Sequence, residues 1–402
     1  MHVTSKTGSP SSKQSRAALR FVLTIGVLSF FADFTYEGAR SVIGPFLATL
    51  GATAFAVSTV TGFGEFVGYG VRLLSGRAAD RTGKFWPIAI AGYTLQMVSV
   101  PCLTFAGSWP AAAGLIIAER LGKAIRNPPR DVMLSHAGTN VGLGWAFGVH
   151  EALDQFGALV GPLVVAALLT VRHDYHLAFA VLAVPAAINL LLVGVARAVY
   201  PHPEALEKPQ ALEESTGYPR VFWIYLAGAV LVAAGFADYP LVAYHFAKSG
   251  VVGPDIIPVF YAVAMGVSGT GSLVFGRLFD RFGFRIIIGV SVISAAFAPL
   301  VFLSGFWGAL AGAAIWGLGM GVHESIIPAA VTPMVPASRR ASAYGLFTAG
   351  YGIFWFLGSA VMGALYDRSV LAATSFCVAA ELAAVPIFIV VFRIRSAERV
   401  TQ

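Results

Sequence analysis

Ionisable side chains lie inside several of the long apolar segments of this 402-residue chain. In the first segment Asp33, Glu37 and Arg40 follow at spacings of four and three, which places them on one helical face. A charge at the centre of a bilayer costs about 2.5–3.5 kcal/mol on insertion scales, so such residues usually face a cavity or a partner. Other ionisable residues in apolar segments are Glu65, Arg72, Glu119, Arg120, Lys123, Arg126, Arg130, Asp131, His150, Glu151, Asp154, Asp238, His245, His323, Glu324 and Glu381.

The elements that must position these residues are membrane-spanning helices. The chain is 57% hydrophobic and 12% charged, whereas a soluble domain carries about twice that share of charge. Apolar stretches of about 20 residues recur along the chain, and each is long enough to cross a bilayer. We predict an all-α integral membrane protein with twelve spans, at 21–46, 54–75, 86–106, 110–136, 145–170, 177–197, 221–246, 256–276, 286–304, 309–335, 344–366 and 371–392.

Composition also excludes several classes of protein. The formal charge of +7 does not indicate nucleic-acid binding, because the basic residues lie in short loops rather than on one surface. Cys102 and Cys377 both lie in apolar segments, so a structural disulfide or a thiolate metal site is not expected. The basic start followed by an apolar run from Phe21 resembles a signal peptide, but the charges at 33–40 indicate a retained span.

Lys and Arg residues are distributed unevenly between the two sides of the predicted layer. With both termini in the cytoplasm, 18 of them lie in cytoplasmic segments and three in outside loops, which favours that orientation in the plasma membrane. The predicted organisation is a cytoplasmic tail at 1–20, a six-helix bundle at 21–197, a cytoplasmic linker at 198–220, a second six-helix bundle at 221–392 and a cytoplasmic tail at 393–402.

The two predicted bundles repeat one another. The offset is 200 residues between Gly76-Arg-Ala-Ala-Asp80-Arg81-Thr-Gly83 and Gly276-Arg-Leu-Phe-Asp280-Arg281-Phe-Gly283. It is 205 residues between Ala32-Asp33-Phe34 and Ala237-Asp238-Tyr239. Two parallel halves related by an axis along the membrane normal can open a site at their interface to either side by rocking. The repeat therefore predicts a transporter.

These residues resemble the Major Facilitator Superfamily over the whole chain. Gly76, Asp80, Arg81 and Gly83 match its signature loop, and Gly276, Asp280, Arg281 and Gly283 repeat it. We expect Gly76 to allow close helix packing, and we expect both loops to act as gates in which the Asp accepts hydrogen bonds and the Arg reaches a carboxylate. The alternative is a simple positively charged loop.

A second resemblance concerns spans four and five. Gly148, Gly157 and Gly161-Pro162 keep the spacing of the family's antiporter motif, although Val165-Ala166 replaces its closing glycine pair. Arg120 stands where many drug–proton antiporters place a membrane arginine. The resemblance implies an exporter, and ordinary helix packing at the glycines is the alternative.

The family's architecture places spans 1, 4, 7 and 10 around a central cavity. The resemblance therefore implies that proton coupling uses Asp33, Glu37, Asp238 and Glu324. A carboxylate in such a cavity can load and release protons. The residues expected to line the cavity are Tyr36, Arg40, Arg120, Lys123, Arg126, Tyr239, Tyr244, His323 and Trp355, with Trp316 as a further apolar wall.

A structural role for these charges remains open at this point. The first-half spans hold seven acidic and six basic residues, and this near balance favours ion pairs between helices. His150 and Asp154 lie one turn apart, but one histidine and two carboxylates do not define a metal site, so no metal and no cofactor are expected.

We predict a monomeric secondary transporter, not an enzyme, that exports a small organic molecule or drug by rocker-switch alternating access coupled to protons. The cationic stripe in span four favours an alternative, the proton-coupled uptake of a small organic anion. A polytopic membrane enzyme is the third class, and the chain lacks its acyltransferase, protease and hydrolase motifs as well as a phosphate-binding loop. The sequence does not name the substrate.

Overall fold

The structure is a computed structural model that describes residues 12–141, 143–201, 218–331, 334–335 and 340–400. Within these ranges the regular structure is entirely helical. The side chains of three predicted site residues, Asp80, Asp280 and Glu324, lie outside the described part. Most of the predicted linker, 202–217, also lies outside it.

The first half of the chain forms six spans from seven helices in the described residues. These are α1 (Ser12–Thr49), α2 (Ala54–Thr82), α3 (Phe85–Cys102), α4 (Trp109–Val141), α5 (Leu143–Arg172), α6 (Tyr175–Val181) and α7 (Ala183–Val199). A 3-10 turn, Leu103–Phe105, extends α3, and only Leu182 separates α6 from α7, so these two helices make one span.

The second half forms six further spans. Its helices are α8 (Arg220–Gly235), α9 (Tyr239–Ser249), α10 (Ile257–Phe282), α11 (Phe284–Ser294), α12 (Phe297–Leu303), α13 (Phe306–Ala329), α14 (Arg340–Arg368) and α15 (Val370–Val400). The pairs α8–α9 and α11–α12 each make one span. We call the side of the layer with the start of α1, the end of α15 and the turns at Gly83 and Gly283 the terminal face. The side with the turns at Gly51, His173 and Gly250 is the opposite face.

The predicted all-α membrane fold is confirmed. By length and composition, nine helical segments of the described chain can cross a membrane, and α2, α4 and α13 complete the twelve spans. Several helices extend beyond the predicted spans, since α1 begins at Ser12 and α15 reaches Val400, inside the predicted tails. Hydropathy cannot detect these extensions, because the extra turns are polar and lie beyond the apolar layer.

The segments predicted as gating loops are helix ends, so their placement in loops is wrong, and their gating role stays a prediction. Residues 76–82 form the last turns of α2, and residues 276–282 form the last turns of α10. Each helix ends at a glycine with positive φ, 65° at Gly83 and 60° at Gly283, because no earlier residue in the motif stops a helix. A Cβ on Gly76 would meet Pro128 Cβ at an ordinary 3.5 Å, so in this structure α2 comes no closer to α4 there than an alanine would allow.

Span seven, predicted as one helix, is broken at 236–238. Asp238 caps the N-terminus of α9, where its carboxylate accepts from the Tyr239 amide at 3.0 Å. Pro240 occupies the first turn of α9, a position that proline favours. Trp316 Nε1 on α13 donates to the Ala237 carbonyl at 2.7 Å and so satisfies an acceptor that the break leaves without a helical partner.

Glycines of the predicted antiporter motif hold α5 directly against α1. A Cβ on Gly157 or Gly161 would collide with the main-chain oxygen of Phe30 or Phe34. A Cβ on Gly358 of α14 would likewise collide with the main chain of α8. Gly358 follows Gly157 by 201 residues. The two halves therefore share this packing contact as well as their sequence motifs.

The two halves touch each other closely at the opposite face. Gly44 on α1 lies against the main chain of Pro240 on α9, with no room for a Cβ. Asp367, in the last turn of α14, accepts hydrogen bonds from the first two amides of α2, Ala54 N at 3.0 Å and Phe55 N at 2.9 Å. A carboxylate from the second half thus caps a helix of the first half.

We expect Gly161→Ala to lower the thermal stability of the purified protein, because the new methyl group forces α5 away from α1 at Phe34. Overpacking of this kind typically costs about 1–3 kcal/mol. The matched control is Gly148→Ala on the same helix, where a Cβ would meet no heavy atom within 4 Å. Equal melting temperatures for the two variants in detergent would show that the contact carries no stability.

Candidate functional site

Arg40 on α1 joins the two halves at the centre of the molecule. Its guanidinium Nη2 lies 2.5 Å from Asp238 Oδ1 in the second half and 3.3 Å from Glu65 Oε1 on α2. Arg40 is 3% exposed, and Asp238 is also buried. The break in span seven places Asp238 at the first turn of α9, where its carboxylate faces α1.

A continuous series of polar contacts runs from Asp238 back to Asp33. Arg120 lies 2.8 Å from Glu65 and 3.8 Å from Glu119 on its own helix. Gln96 on α3 donates to Glu119 at 2.9 Å and accepts from Arg126 Nε at 2.5 Å. Arg126 Nη2 then lies 3.4 Å from Asp33 Oδ1. The structure therefore links the two repeat-related aspartates by the residues that we call the central network: Asp33, Arg126, Gln96, Glu119, Arg120, Glu65, Arg40 and Asp238.

Helical periodicity explains how these charges meet. Asp33, Glu37 and Arg40 share one face of α1, and Glu119, Lys123 and Arg126 share one face of α4. Both faces point inward, and Arg126 is fully buried at 0% exposure. Its guanidinium also donates to the Tyr93 hydroxyl at 3.3 Å. A buried cation of this kind is tolerated because its donors are matched by acceptors.

Three cations surround the ring of Tyr36 on α1. Lys123 Nζ lies 4.0 Å from the ring centroid, and the guanidinium carbons of Arg120 and Arg40 lie at 4.7 Å and 5.8 Å. The two arginines have carboxylate partners in the central network. Lys123 has no carboxylate within 4.0 Å in the part of the chain that the structure describes. Of these three cations, Lys123 is therefore the one that a ligand can bind without displacing an ion pair.

Glu37 makes a second contact between the halves. Its Oε2 accepts a 2.5 Å hydrogen bond from the hydroxyl of Tyr261 on α10. Among the described side chains no basic group lies within 4.0 Å of this buried carboxylate. Glu37 and Asp238 are therefore the carboxylates through which each half contacts the other near the centre.

The aromatic residues predicted for the second half do not all lie beside the central network. Tyr239 is buried against Tyr261, and its hydroxyl donates to the Ile257 carbonyl at 3.2 Å. His323 packs edge-on against Phe236 and lies beside Trp355. Tyr244 instead contacts Tyr366 and Lys248 toward the opposite face. Tyr239 is thus closest to Asp238, while Tyr244 belongs to a different surface.

A further polar cluster lies between α1, α4 and α5. His150 Nε2 bonds Ser29 Oγ at 2.7 Å, and Arg130 pairs with Asp131 at 2.8 Å. The ligand atoms of His150, Glu151 and Asp154 lie within 4.8 Å of one another. Arg130 Nη1 is 3.5 Å from Ser29 Oγ, and this positive charge beside the histidine opposes a bound cation.

Several residues of the site were not predicted from the sequence. Gln96 and Tyr93 connect to Arg126, and Tyr261 binds Glu37, but none was predicted. A glutamine within an apolar span is a usable signal for Gln96, because a buried amide needs partners. No comparable signal marks Tyr261. The break before α9 could have been found from Asp238-Tyr-Pro240, an N-cap followed by proline in the first turn.

A helical membrane bundle with two related halves, joined at the centre by buried charges, defines the class of polytopic membrane transporters. The sequence profile of the Major Facilitator Superfamily matches residues 25–268 and 239–402. The chain belongs to the Major Facilitator Superfamily and is a multi-pass membrane transporter. The resemblance seen in its motifs is therefore confirmed.

Relatives cover nearly the whole chain. An uncharacterized protein of Mycobacterium tuberculosis is 39% identical over 392 residues, which are 96% of this chain and 95% of that protein. An uncharacterized MFS-type transporter of Methanocaldococcus jannaschii is 23% identical over 371 residues, 89% of this chain and 92% of the relative.

Solved structures share the fold at low sequence identity. The nucleoside transporter NupG superposes with a TM-score of 0.72 at 15% identity, covering 93% of this chain and 98% of NupG. The peptide transporter POT in complex with sulfate gives 0.73 at 14% identity and covers 94% of each chain. These likenesses establish the architecture.

We expect Arg126→Met to destabilise the protein by about 3–5 kcal/mol, because Asp33 loses its buried cationic partner. Adding Asp33→Asn should restore part of that loss by removing the uncompensated charge. The control is Arg72→Met on α2, an exposed position where the cost should stay below about 1 kcal/mol. Thermal unfolding of the purified variants measures all three, and a wild-type melting temperature for Arg126→Met would contradict the role of the network.

Proposed function

We propose that this transporter exports a small organic molecule in exchange for protons, by rocker-switch alternating access in the plasma membrane. The observation that carries the proposal is the buried pair between Arg40 and Asp238, which spans the two halves at the end of the central network. A pair that spans the moving interface must break or re-form as the halves rock. Its charge state therefore sets which conformation is favoured.

Proton coupling follows from the chemistry of that pair. Protonation of Asp238 removes the negative charge that attracts Arg40 and leaves the arginine with Glu65 as its remaining carboxylate. Protonation of Glu37 likewise changes its hydrogen bond with Tyr261 from the second half. Either event weakens a contact between the halves. Asp33 lies at the far end of the same network and senses the rearrangement through Arg126.

The proposed orientation has both termini in the cytoplasm, as the distribution of Lys and Arg favours. The opposite face then lies outside the cell, and the contacts of Gly44 and Asp367 keep it closed in this structure. The working unit is proposed to be a monomer without a cofactor.

Two features support export over uptake. Gly157 and Gly161 of the antiporter motif form the contact between α5 and α1, and α1 carries Asp33 and Glu37. Arg120 of the antiporter position is a member of the central network. An exchanged proton and a substrate that both act on the carboxylates of α1 would compete, and such competition produces antiport.

Uptake of a small organic anion is the second candidate, favoured by the position of Lys123. Its ammonium group lies over the Tyr36 ring and is partly exposed. In this second candidate, Lys123 binds the anion, and the anion is taken up together with a proton. Transport in right-side-out and everted vesicles under an imposed pH gradient separates the two candidates, because accumulation only in everted vesicles would rule out uptake.

We expect Asp238→Asn to abolish accumulation driven by the pH gradient while the variant still binds substrate, since asparagine cannot exchange a proton. The substrate probe is the compound that gives the largest thermal shift in a screen of metabolites and drugs on the purified protein. Accumulation of this compound in everted vesicles is the measurement. Asp33→Asn, at the other end of the network, should give the same loss.

The matched control is Glu381→Gln, a buried carboxylate on α15 that makes no ion pair within the described chain. It should keep the wild-type dependence on pH. If Asp238→Asn transports with an unchanged pH dependence, Asp238 is structural and proton coupling through it is refuted.

We expect Asp367→Ala to shift the protein toward a state with the outer face open, because α2 loses its cap from the second half. Loss of an N-cap costs about 0.5–2 kcal/mol, which corresponds to roughly a 2- to 30-fold change in population. Spin labels at Val171 and Leu303, exposed positions on the two halves, report the opening as a longer distance in pulsed electron resonance.

Asp174→Ala is the control for this experiment. It removes a cap of the same kind on the same face, but Asp174 caps α6 within its own half through the His176 amide at 2.8 Å. Its distance distribution should match that of the unaltered protein. Equal distributions for Asp367→Ala and Asp174→Ala would show that the cap across the interface does not hold this face closed.

A further inference from the structure

A cavity of about 680 Å³ opens on the opposite face, between the two halves. Pro45 and Thr49 line it from α1, Tyr175 from α6, and Tyr244 and Lys248 from α9. Its volume falls within the range of about 300–1,000 Å³ that is typical of sites for small molecules. This cavity is separate from the central network, since none of the network residues lines it.

The lining of the cavity is cationic and aromatic. It contains Lys248 and His173 together with two tyrosine rings, and it contains no carboxylate. Lys248 Nζ donates to the Tyr244 hydroxyl at 3.5 Å and lies 5.4 Å from that ring, and no described carboxylate comes within 4.0 Å of it. An ammonium group with one weak hydrogen bond has donors left for a ligand.

Three acidic residues adjoin the cavity or its walls in sequence, and one of them, Asp255, directly follows the lining residue Pro254. Asp174, between the lining residues His173 and Tyr175, accepts from the His176 amide at 2.8 Å. Asp367, next to Tyr366, accepts from two amides at the N-terminus of α2. None of the three carboxylates, Asp174, Asp255 and Asp367, lies within 4.0 Å of a Lys248 nitrogen. The lining itself therefore favours a negatively charged ligand with an apolar, ring-shaped body.

The shape of the cavity depends on the closed arrangement of this face. Its walls come from both halves, and beside it Gly44 and Pro240 hold α1 and α9 in direct contact. A ligand that touches both walls binds the closed arrangement better than one in which the walls have separated. It therefore shifts the protein toward the closed arrangement by its difference in affinity for the two states.

We propose that this cavity is a second ligand site, which takes a small aromatic anion from the side of the opposite face and inhibits transport by holding that face closed. Lys248 binds the acidic group, and the rings of Tyr175 and Tyr244 contact the aromatic body. Binding itself is independent of the proposed function, whereas inhibition rests on it.

Binding is tested with the full chain in nanodiscs, with naphthalene-2-sulfonate as the probe and the neutral naphthalene-2-sulfonamide as its match. Calorimetric titration should show binding of the sulfonate that weakens about tenfold or more in Lys248→Gln, because a charge-assisted contact is lost. Lys84→Gln, an exposed lysine at the terminal face, should leave the affinity unchanged. Ala48→Trp fills the cavity and should abolish binding even if Lys248→Gln fails to fold.

The proposed site is refuted if the sulfonate does not bind, if it binds both lysine variants equally, or if the sulfonamide binds as tightly as the sulfonate. Inhibition is tested separately with the spin labels at Val171 and Leu303. The sulfonate should increase the short-distance population in the unaltered protein and leave that of Ala48→Trp unchanged. Binding without any change in distance would overturn the inhibitory role, while a protein that binds the probe but transports nothing would contradict only the proposed function.

Discussion

The cost of placing a charge in an apolar layer governs the interior of this protein. Arg126 has no exposed surface, and it is tolerable only because Asp33, Gln96 and Tyr93 supply acceptors for its guanidinium. Those acceptors come from α1 and α3, so α4 cannot rotate or slide without separating charge from partner. The helix packing of the first half is therefore fixed by its charges as much as by its glycines.

The second half has a different interior, although its scaffold repeats the first. Gly358 packs on α8 as Gly157 packs on α1, but the centre of the second half is aromatic, with His323 and Trp355 around Phe236. Its contribution to the central network is Asp238, placed there by the break in span seven. A rocking motion between such halves changes few polar contacts, and each of those contacts consequently has a large influence on the balance between states.

The fold and the location of the polar region could be predicted from sequence because both depend on periodicity. Apolar length gives the spans, the 200-residue repeat gives the two halves, and the spacing of Asp33, Glu37 and Arg40 gives a buried face. The choice of partners could not be predicted, because Arg40 has several carboxylates within reach and its pairing with Asp238 depends on how two bundles dock. Hydropathy also failed to predict the break before α9 and the helical ends of α2 and α10. It measures how apolar a segment is, whereas capping residues decide where a helix begins and ends.

Two kinds of contact between the halves differ in how they respond to protons. At the opposite face the backbones of the two halves pack directly against each other at Gly44, a contact that involves no titratable group. Near the centre they are held by Arg40 with Asp238 and by Tyr261 with Glu37, contacts whose strength changes when a carboxylate gains a proton. Packing at Gly44 contributes the same free energy at every proton concentration, so it sets a constant preference for closure. The central carboxylates add a contribution to the contact between the halves that depends on their charge.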